Sequence, residues 1–223
     1  MDIVQQTIKT YDKIASDYCK KTRQSKFLDW EESYIEKLLF FISKPQPLIL
    51  DVGCGDGRHT ILIEKNGGRA IGIDLSKNML SEAKTLYPNG DFRRMDMRKL
   101  LFDSDSFDVI WASGSIYHVA KSDVRRVIRE FKRILRLDGV LALSFKLGYG
   151  EGMEVNPKSY SGSPRYFAYY TRGEMKELFS RFGFEELESC TYPEEIFGDN
   201  NQQIWFKKER LSGYLPLLAT HLA

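Results

Sequence analysis

The chain has 223 residues, 42% of them hydrophobic, and a formal net charge of +2. This length fits one domain with appendages, and the near-zero charge gives no sign of a nucleic-acid or membrane partner. The three cysteines are too far apart for a disulfide framework or a zinc site. The sequence shows no secretory signal and no apolar run of membrane-spanning length, so we expect a cytoplasmic protein without a membrane partner.

Residues 1–44 are predicted to form helices ahead of the main sheet. Apolar side chains recur at helical spacing within residues 3–18 and again within residues 27–41. Pro45 and Pro47 then end the helical pattern. We interpret this segment as a cap that closes over a ligand, with plain packing of its aromatic side chains on the core as the alternative.

Residues 48–60, LILDVGCGDGRHT, contain the most informative motif of the chain. An apolar strand leads into Gly53, Gly55 and Gly57, and then into a helix. Glycine lets the backbone approach a ligand closely, and a helix N-terminus favours anionic or polar groups, so this turn predicts a small-molecule pocket. The spacing is G-x-G-x-G, whereas the dinucleotide fingerprint G-x-G-x-x-G would need a glycine where Arg58 stands.

The following strands are predicted to end in polar residues. The apolar segment 70–75 contains Asp74, which lies 17 residues after Gly57, near the spacing at which a carboxylate meets a ribose. Segment 92–97 is predicted as the third strand with its turn, and segment 107–119 as the fourth strand with its exit. The alternation of strands and helices predicts a parallel α/β sheet, which binds ligands at the carboxyl ends of its strands.

The second half of the chain continues this pattern. Ser76 and Thr171 are favourable N-caps for the helices that follow them. Between them, a helix is expected from about Ser122 to Leu137, and a fifth strand over residues 140–145. One side of that helix is cationic, which we interpret as a solvated face, or else as contacts for an anionic partner. Its basic residues are Arg125, Arg126, Arg129, Lys132, Arg133 and Arg136.

Residues 147–171 differ in composition from the rest of the chain. Glycine, proline, serine and five tyrosines replace the apolar periodicity, which predicts a long functional loop over the pocket. Residues 184–190 and 203–207 are expected to form the last two strands as an antiparallel pair. The apolar tail 211–223 has no assigned role.

The motifs together resemble those of class I S-adenosylmethionine-dependent methyltransferases of the small single-domain type, over residues 8–208. The resemblance implies a Rossmann-like, seven-stranded, mostly parallel sheet of order 3-2-1-4-5-7-6, with the last strand antiparallel and helices on both faces. It implies an N-terminal helical cap at 1–44, a cofactor-binding domain at 45–210 and a separate tail at 211–223.

The resemblance also implies a cofactor, S-adenosylmethionine, which is released as S-adenosylhomocysteine. In the family, an acid such as Asp74 meets the ribose hydroxyls and an acid such as Asp96 meets the adenine amino group. The implied cofactor-binding residues are Tyr11, Tyr18, Arg23, Asp51, Gly53, Cys54, Gly55, Asp56, Gly57, Asp74, Leu75, Met79, Asp96, Met97, Ala112 and Ser113.

Tyr117 and His118 are expected beside the transferred methyl group, where either is a candidate general base. Packing under a loop is the alternative for His118. No cluster of metal ligands is apparent in the sequence. The candidates to touch the substrate from the loop 147–171 are Tyr149, Glu151, Tyr160, Arg165, Tyr166 and Tyr169.

The function predicted first is in-line methyl transfer to a small-molecule acceptor. The second hypothesis is a tRNA methyltransferase, because residues 11–18 and 165–170 are similar to parts of wobble-uridine enzymes. A non-catalytic S-adenosylmethionine-binding module is the third, and a nicotinamide dehydrogenase is the weakest. The acceptor, its reacting atom and the choice between monomer and homodimer stay open.

Overall fold

Strands and helices alternate along most of the chain. The structure, a computed structural model, describes residues 3–23, 27–155, 162–191 and 201–208. The helices are α1 (Ile3–Arg23), α2 (Phe27–Ile42), α3 (Arg58–Lys65), α4 (Lys77–Leu86), α5 (Lys121–Ile134) and α6 (Arg172–Ser180). The strands are β1 (Leu48–Val52), β2 (Arg69–Asp74), β3 (Asp91–Arg94), β4 (Phe107–Ala112), β5 (Leu135–Leu147), β6 (Glu151–Glu154), β7 (Arg165–Tyr170), β8 (Phe184–Thr191) and β9 (Asn201–Lys208).

The sheet has the order predicted from the sequence. Strands β3, β2, β1, β4 and β5 lie side by side and run parallel. Strand β9 then pairs antiparallel with β5, and β8 with β9. These are the fifth, seventh and sixth strands of the expected 3-2-1-4-5-7-6 arrangement, which is therefore confirmed. Because the order reverses between β1 and β4, a crevice opens at their carboxyl ends.

The central strands are buried on both faces, which explains their continuous apolar sequences. Every residue of β4 is buried, and Leu50, Ile110 and Phe131 lie in one hydrophobic cluster between the sheet and α5. The opposite face packs a second cluster against α2 and α3, with Ile35 and Trp111 at its centre. Among the described residues, no helix combines the length and the apolarity needed to cross a bilayer.

The predicted loop 147–171 is partly wrong, because β6 and β7 lie within it. They pair antiparallel, and β7 extends the sheet by pairing parallel with the end of β5. Every second residue of β7, namely Tyr166, Ala168 and Tyr170, is buried in the core cluster, a period-two pattern that the tyrosine count obscured. Residues 156–161 of this segment and the tail 211–223 lie outside the described residues.

The boundary between α5 and β5 also differs from the expectation. Helix α5 begins after Ala120 and ends at Ile134, and β5 starts at once, at Leu135. Asp138 and Gly139, between the predicted helix end and the predicted strand start, lie inside the strand, where Asp138 has a positive φ of 62° and the pairing with β4 shifts register. This irregularity lengthens the strand without breaking it.

Candidate cofactor and acceptor site

A cavity of about 340 Å³ opens at the carboxyl ends of the parallel strands, beneath α1. The predicted cofactor residues that line it are Tyr11, Tyr18, Gly53, Cys54, Gly55, Asp74, Leu75, Met79, Asp96, Met97 and Ser113. The remaining predicted cofactor residues do not line it: Arg23, Asp51, Asp56, Gly57 and Ala112. The structure thus brings the separate motifs together around one space.

The glycine-rich turn after β1 forms one wall of the cavity. All three glycines have positive φ, which side chains rarely adopt. A Cβ at Gly53 would lie 2.4 Å from the Cβ of Ser115, and one at Gly57 would strike Phe92. A Cβ at Gly55 would instead point into open space. Gly53 and Gly57 are therefore required by packing, whereas Gly55 leaves room for a bound molecule.

Asp74, at the end of β2, stands beside this turn. Its Oδ2 accepts a hydrogen bond from the backbone N–H of Gly55 at 3.1 Å, and its Oδ1 accepts one from the N–H of Ser76 at 2.7 Å. Burial raises the pKa of Asp74 from 3.8 to about 6. Two backbone donors thus orient the carboxylate but do not fully offset the cost of burying its charge. Such a carboxylate is suited to accept hydrogen bonds from the hydroxyl groups of a ligand.

Ser115, which follows β4, contributes a buried hydroxyl to the wall of the cavity. Within the described part of the chain this hydroxyl has no hydrogen-bond partner. An orphaned polar group, an open position at Gly55 and an oriented carboxylate at Asp74 are the features that a nucleoside with a polar amino-acid end would satisfy. The residues present therefore fit S-adenosylmethionine.

Asp96 and Met97 line the cavity beyond β3, and their contact with adenine stays a prediction. The guanidinium of Arg98 holds both carboxylate oxygens of Asp96, with Nη2 2.8 Å from Oδ2, and it also contacts Asp123. Burial opposes ionisation of Asp96, but Arg98 outweighs it and lowers the pKa. Asp96 therefore stays an ionised acceptor, oriented by a residue that the sequence reasoning did not single out.

A buried ionic network joins α1 and α2 to the glycine-rich turn and the start of α3. Glu31 of α2 contacts Arg58 at 3.2 Å and His59 at 2.9 Å, and all three line the cavity. Burial opposes ionisation, but these two partners hold the pKa of Glu31 at about 2. Asp56, fully buried, pairs with Arg23 at the end of α1. No sequence motif marks the contact of Glu31 with His59, which lie on different helices, 28 positions apart in the chain.

The far end of the cavity is aromatic and holds both candidate bases. The hydroxyl of Tyr11 lies 2.8 Å from Nε2 of His118, and Nδ1 of His118 lies 2.6 Å from the carbonyl oxygen of Tyr166. A carbonyl only accepts, so Nδ1 carries the hydrogen and Nε2 accepts from Tyr11. Burial, with the nearby charges of Arg165 and Lys146, lowers the pKa of His118 to about 3. His118 is therefore neutral, and both of its nitrogens are engaged within the protein.

Of the candidate substrate residues of the segment 147–171, those that the structure describes do not line the cavity itself. Arg165 lies closest, with Nη1 3.4 Å from the hydroxyl of Tyr11. Tyr166 donates to Glu151, Tyr169 donates to Glu154, and Tyr149 is exposed. Tyr160 lies outside the described residues. Contact of these residues with a substrate stays a prediction. Among the described residues, no three His, Cys, Asp or Glu side chains are placed to hold a metal ion.

Comparisons with known proteins agree with this geometry. Residues 49–139 match the family model described as a methyltransferase domain. A ubiquinone/menaquinone biosynthesis C-methyltransferase of Campylobacter jejuni is 29% identical over 146 residues, which cover 61% of each chain. A probable S-adenosylmethionine-dependent methyltransferase of Saccharomyces cerevisiae is 26% identical over 75% of this chain and 60% of its own. The chain thus spans about three fifths of the length of these curated relatives.

Solved structures share the fold at low sequence identity. A Burkholderia thailandensis 1,6-didemethyltoxoflavin N1-methyltransferase, bound to 1,6-didemethyltoxoflavin and S-adenosylhomocysteine, has a TM-score of 0.73 at 18% identity, covering 92% of this chain and 88% of that one. A putative methyltransferase of Haloferax volcanii, in complex with the Trm112 methyltransferase activator, has a TM-score of 0.72 at 16% identity, covering 93% and 100%. At these identities the likeness establishes the architecture alone.

Proposed function

We propose that the chain is a class I S-adenosylmethionine-dependent methyltransferase, because residues 49–139 match the methyltransferase family model, and that it transfers a methyl group from S-adenosylmethionine to a small-molecule acceptor. The observation that carries this proposal is one continuous cavity with Asp74 and the glycine-rich turn at one part and the aromatic group Tyr11, Tyr117 and His118 at another. When bound, the cofactor supplies an activated methyl group on a sulfonium sulfur.

In this proposal the residues of the chain bind and orient the cofactor and shield it from water. Asp74 accepts hydrogen bonds from ribose hydroxyls, while Asp96, held by Arg98, faces the adenine end. The buried hydroxyl of Ser115 supplies a polar contact beside β4. Helix α1 covers the cavity and excludes water, and its Tyr11 lies against His118. Alignment and exclusion of water are the main contributions a protein makes to a displacement of this kind.

A small molecule fits this site better than an RNA. The cavity is covered by α1 and is of the size of small-molecule pockets. Among the basic residues predicted to share one helix face, Arg133 on α5 pairs with Glu130, and Arg136, which lies on β5, pairs with Asp108. These pairs reduce the charge available to a phosphate backbone. The Burkholderia structure, which shares the fold and has 1,6-didemethyltoxoflavin bound, supports the same choice.

The proposal is tested first by thermal unfolding with S-adenosylmethionine, S-adenosylhomocysteine and NAD in parallel. A ligand at 100 times its dissociation constant adds about 2.7 kcal/mol, or roughly 5 to 11 °C for a chain of this size. We expect this shift with both adenosyl ligands, its loss in Asp74→Ala and its retention in Asp91→Ala, an exposed aspartate on β3. A shift with NAD alone, or no shift with any of the three ligands, contradicts the proposal.

The acceptor class is tested by release of S-adenosylhomocysteine in the presence of a metabolite extract or of bulk tRNA. Turnover with the extract after removal of macromolecules supports a small acceptor. Turnover only with tRNA, weakened by added salt, would favour the RNA alternative. Cofactor binding without turnover in either mixture would favour a non-catalytic module.

A further inference from the structure

A carboxylate and a guanidinium meet in the wall of the cavity beyond β3. Asp96 and Arg98 both line the cavity, with side chains that are 29% and 18% exposed, respectively. The guanidinium contacts the carboxylate through two nitrogens: Nη2 lies 2.8 Å from Oδ2, and Nε lies 3.1 Å from each oxygen. The backbone N–H of Arg98 is a third donor, 2.8 Å from Oδ1. Residue 98 therefore holds the Asp96 carboxylate in a single orientation.

These donors leave room for one more hydrogen bond to Asp96. An ionised carboxylate offers about four acceptor positions on its two oxygens. Within the part of the chain that the structure describes, only the three N–H groups of Arg98 use them. Burial opposes ionisation of Asp96, but Arg98 outweighs it and lowers the pKa, so the remaining position is an anionic acceptor. An N–H donor of a molecule in the cavity fits this position, whereas a carbonyl oxygen there would be repelled.

A second carboxylate fixes Arg98 itself. The third guanidinium nitrogen, Nη1, lies 2.9 Å from Oδ2 of Asp123, in the first turn of α5. The guanidinium is thus held between two carboxylates on different elements, and its rotation away from Asp96 would also break the contact with Asp123. A lysine would not reproduce this arrangement, because its ammonium is a point charge on a flexible stem and lacks the planar set of donors.

A similar pair on β3 provides a comparison outside the cavity. Arg93 contacts Asp91, also two positions away in the chain, through Nε at 2.8 Å and Nη2 at 2.7 Å. Both of these residues are exposed, and neither lines the cavity. Because the spacing and the two contacts are the same, Arg93 is a matched control for the effect of removing an arginine from such a pair.

We propose that Arg98 is a positioning residue for the cofactor: it presents the one remaining acceptor position of Asp96 to the nucleobase and so selects the exocyclic amino group of adenine. This inference rests on the proposed function, because it concerns the nucleobase of the same cofactor. Its signature is a change in preference between two nucleobases. A general loosening of the fold would weaken the binding of both to the same extent.

The test measures, by calorimetry on the full chain, the dissociation constants of S-adenosylhomocysteine and S-inosylhomocysteine, in which a carbonyl replaces the exocyclic amino group. One charge-assisted hydrogen bond contributes about 1.5 to 3 kcal/mol, so the wild type should bind the amino ligand about 10- to 100-fold more tightly. Asp96→Asn should lose most of this preference, because a carboxamide can turn its NH₂ group toward a carbonyl. Arg98→Gln and Arg98→Lys should each lower the preference about threefold or more, as a freely rotating carboxylate loses part of that bond. Arg93→Gln should keep it.

The outcomes separate this inference from the proposed function. A wild type that binds S-adenosylhomocysteine without the expected preference overturns the inference and leaves the proposed function standing. An Arg98 variant that weakens both ligands equally, or a preference that survives in Arg98→Lys, also overturns it. Where thermal unfolding shows that an Arg98 variant is not folded, Asp123→Asn removes the second contact of the guanidinium from outside the cavity; it should lower the preference, and an unchanged preference overturns the inference. A wild type that binds neither ligand removes the proposed function and the inference together.

Discussion

The raised pKa of Asp74 makes cofactor affinity depend on pH in a calculable way. Burial raises this pKa to about 6 in the ligand-free protein, and only the ionised carboxylate accepts hydrogen bonds from both ribose hydroxyls. Affinity should therefore be full above pH 7 and fall as the pH falls through 6. At pH 5 about one carboxyl in ten is ionised, so the dissociation constant of S-adenosylhomocysteine should be about tenfold higher than at pH 8.

Replacement of Asp74 by asparagine keeps the shape and removes the charge. One charge-assisted hydrogen bond contributes about 1.5 to 3 kcal/mol, so affinity at pH 8 should fall about 10- to 100-fold. The pH dependence between 5 and 8 should disappear in the same variant. Calorimetric titrations with S-adenosylhomocysteine over this range measure both effects, with Asp91→Asn as the control because Asp91 is exposed and pairs with Arg93.

Two results would refute this reasoning. A wild-type dissociation constant that stays constant from pH 5 to 8 would show that Asp74 does not titrate on binding. A pH dependence that persists in Asp74→Asn would assign the titration to another group. The pH dependence of the stability of the ligand-free protein supplies an independent check of the direction of the Asp74 pKa shift. A carboxyl whose pKa is raised above 3.8 on folding destabilises the fold above pH 6, and this cost disappears below pH 4.

Further predictions concern packing, the buried network and the candidate base. Gly53→Ala should lower the free energy of unfolding, measured with urea, by about 2 to 4 kcal/mol, since its Cβ would lie 2.4 Å from the Cβ of Ser115. Gly67→Ala, with positive φ and open space around the new Cβ, should lower it by about 1 kcal/mol. Equal losses in the two variants would contradict the role of packing at Gly53. Glu31→Gln should cost about 3 kcal/mol because it removes the carboxylate that contacts buried His59 and Arg58, although Arg58 keeps Asp56 at 3.8 Å. Glu177→Gln, in an exposed helical pair, should change stability by less than about 1 kcal/mol. With the pKa of His118 near 3, kcat/KM on an identified acceptor should show no limb from this group between pH 5 and 8, and a limb that vanishes in His118→Gln would disprove its neutrality.

The sequence determined the features that depend on local physics. Apolar runs gave the central strands, and the spacing of Gly53, Gly55 and Gly57 marked the turn. Ser76 and Thr171 cap their helices as predicted, with side chains that accept from backbone N–H groups in the first turn. These features are readable because each depends on neighbours within a few positions of the chain.

Tertiary structure decided what lies against the ligand space. Tyr11 and His118 are 107 positions apart, and their contact fixes the imidazole tautomer. Glu31 meets Arg58 and His59 only because α2 packs on α3. None of these pairs has a sequence spacing that signals it.

In the segment 147–171, strand formation likewise depends on contacts that no sequence spacing signals. Its glycines, proline and tyrosines predicted a loop, yet β7 pairs with β5 and brings Arg165 toward Lys146 across Phe167. Strand pairing is a long-range interaction whose free energy depends on the partner strand. The sequence therefore specified the glycine-rich turn and the strand ends around it, where the motifs are local. Only the folded structure brought Tyr11, Tyr117 and His118 together at the aromatic end of the cavity.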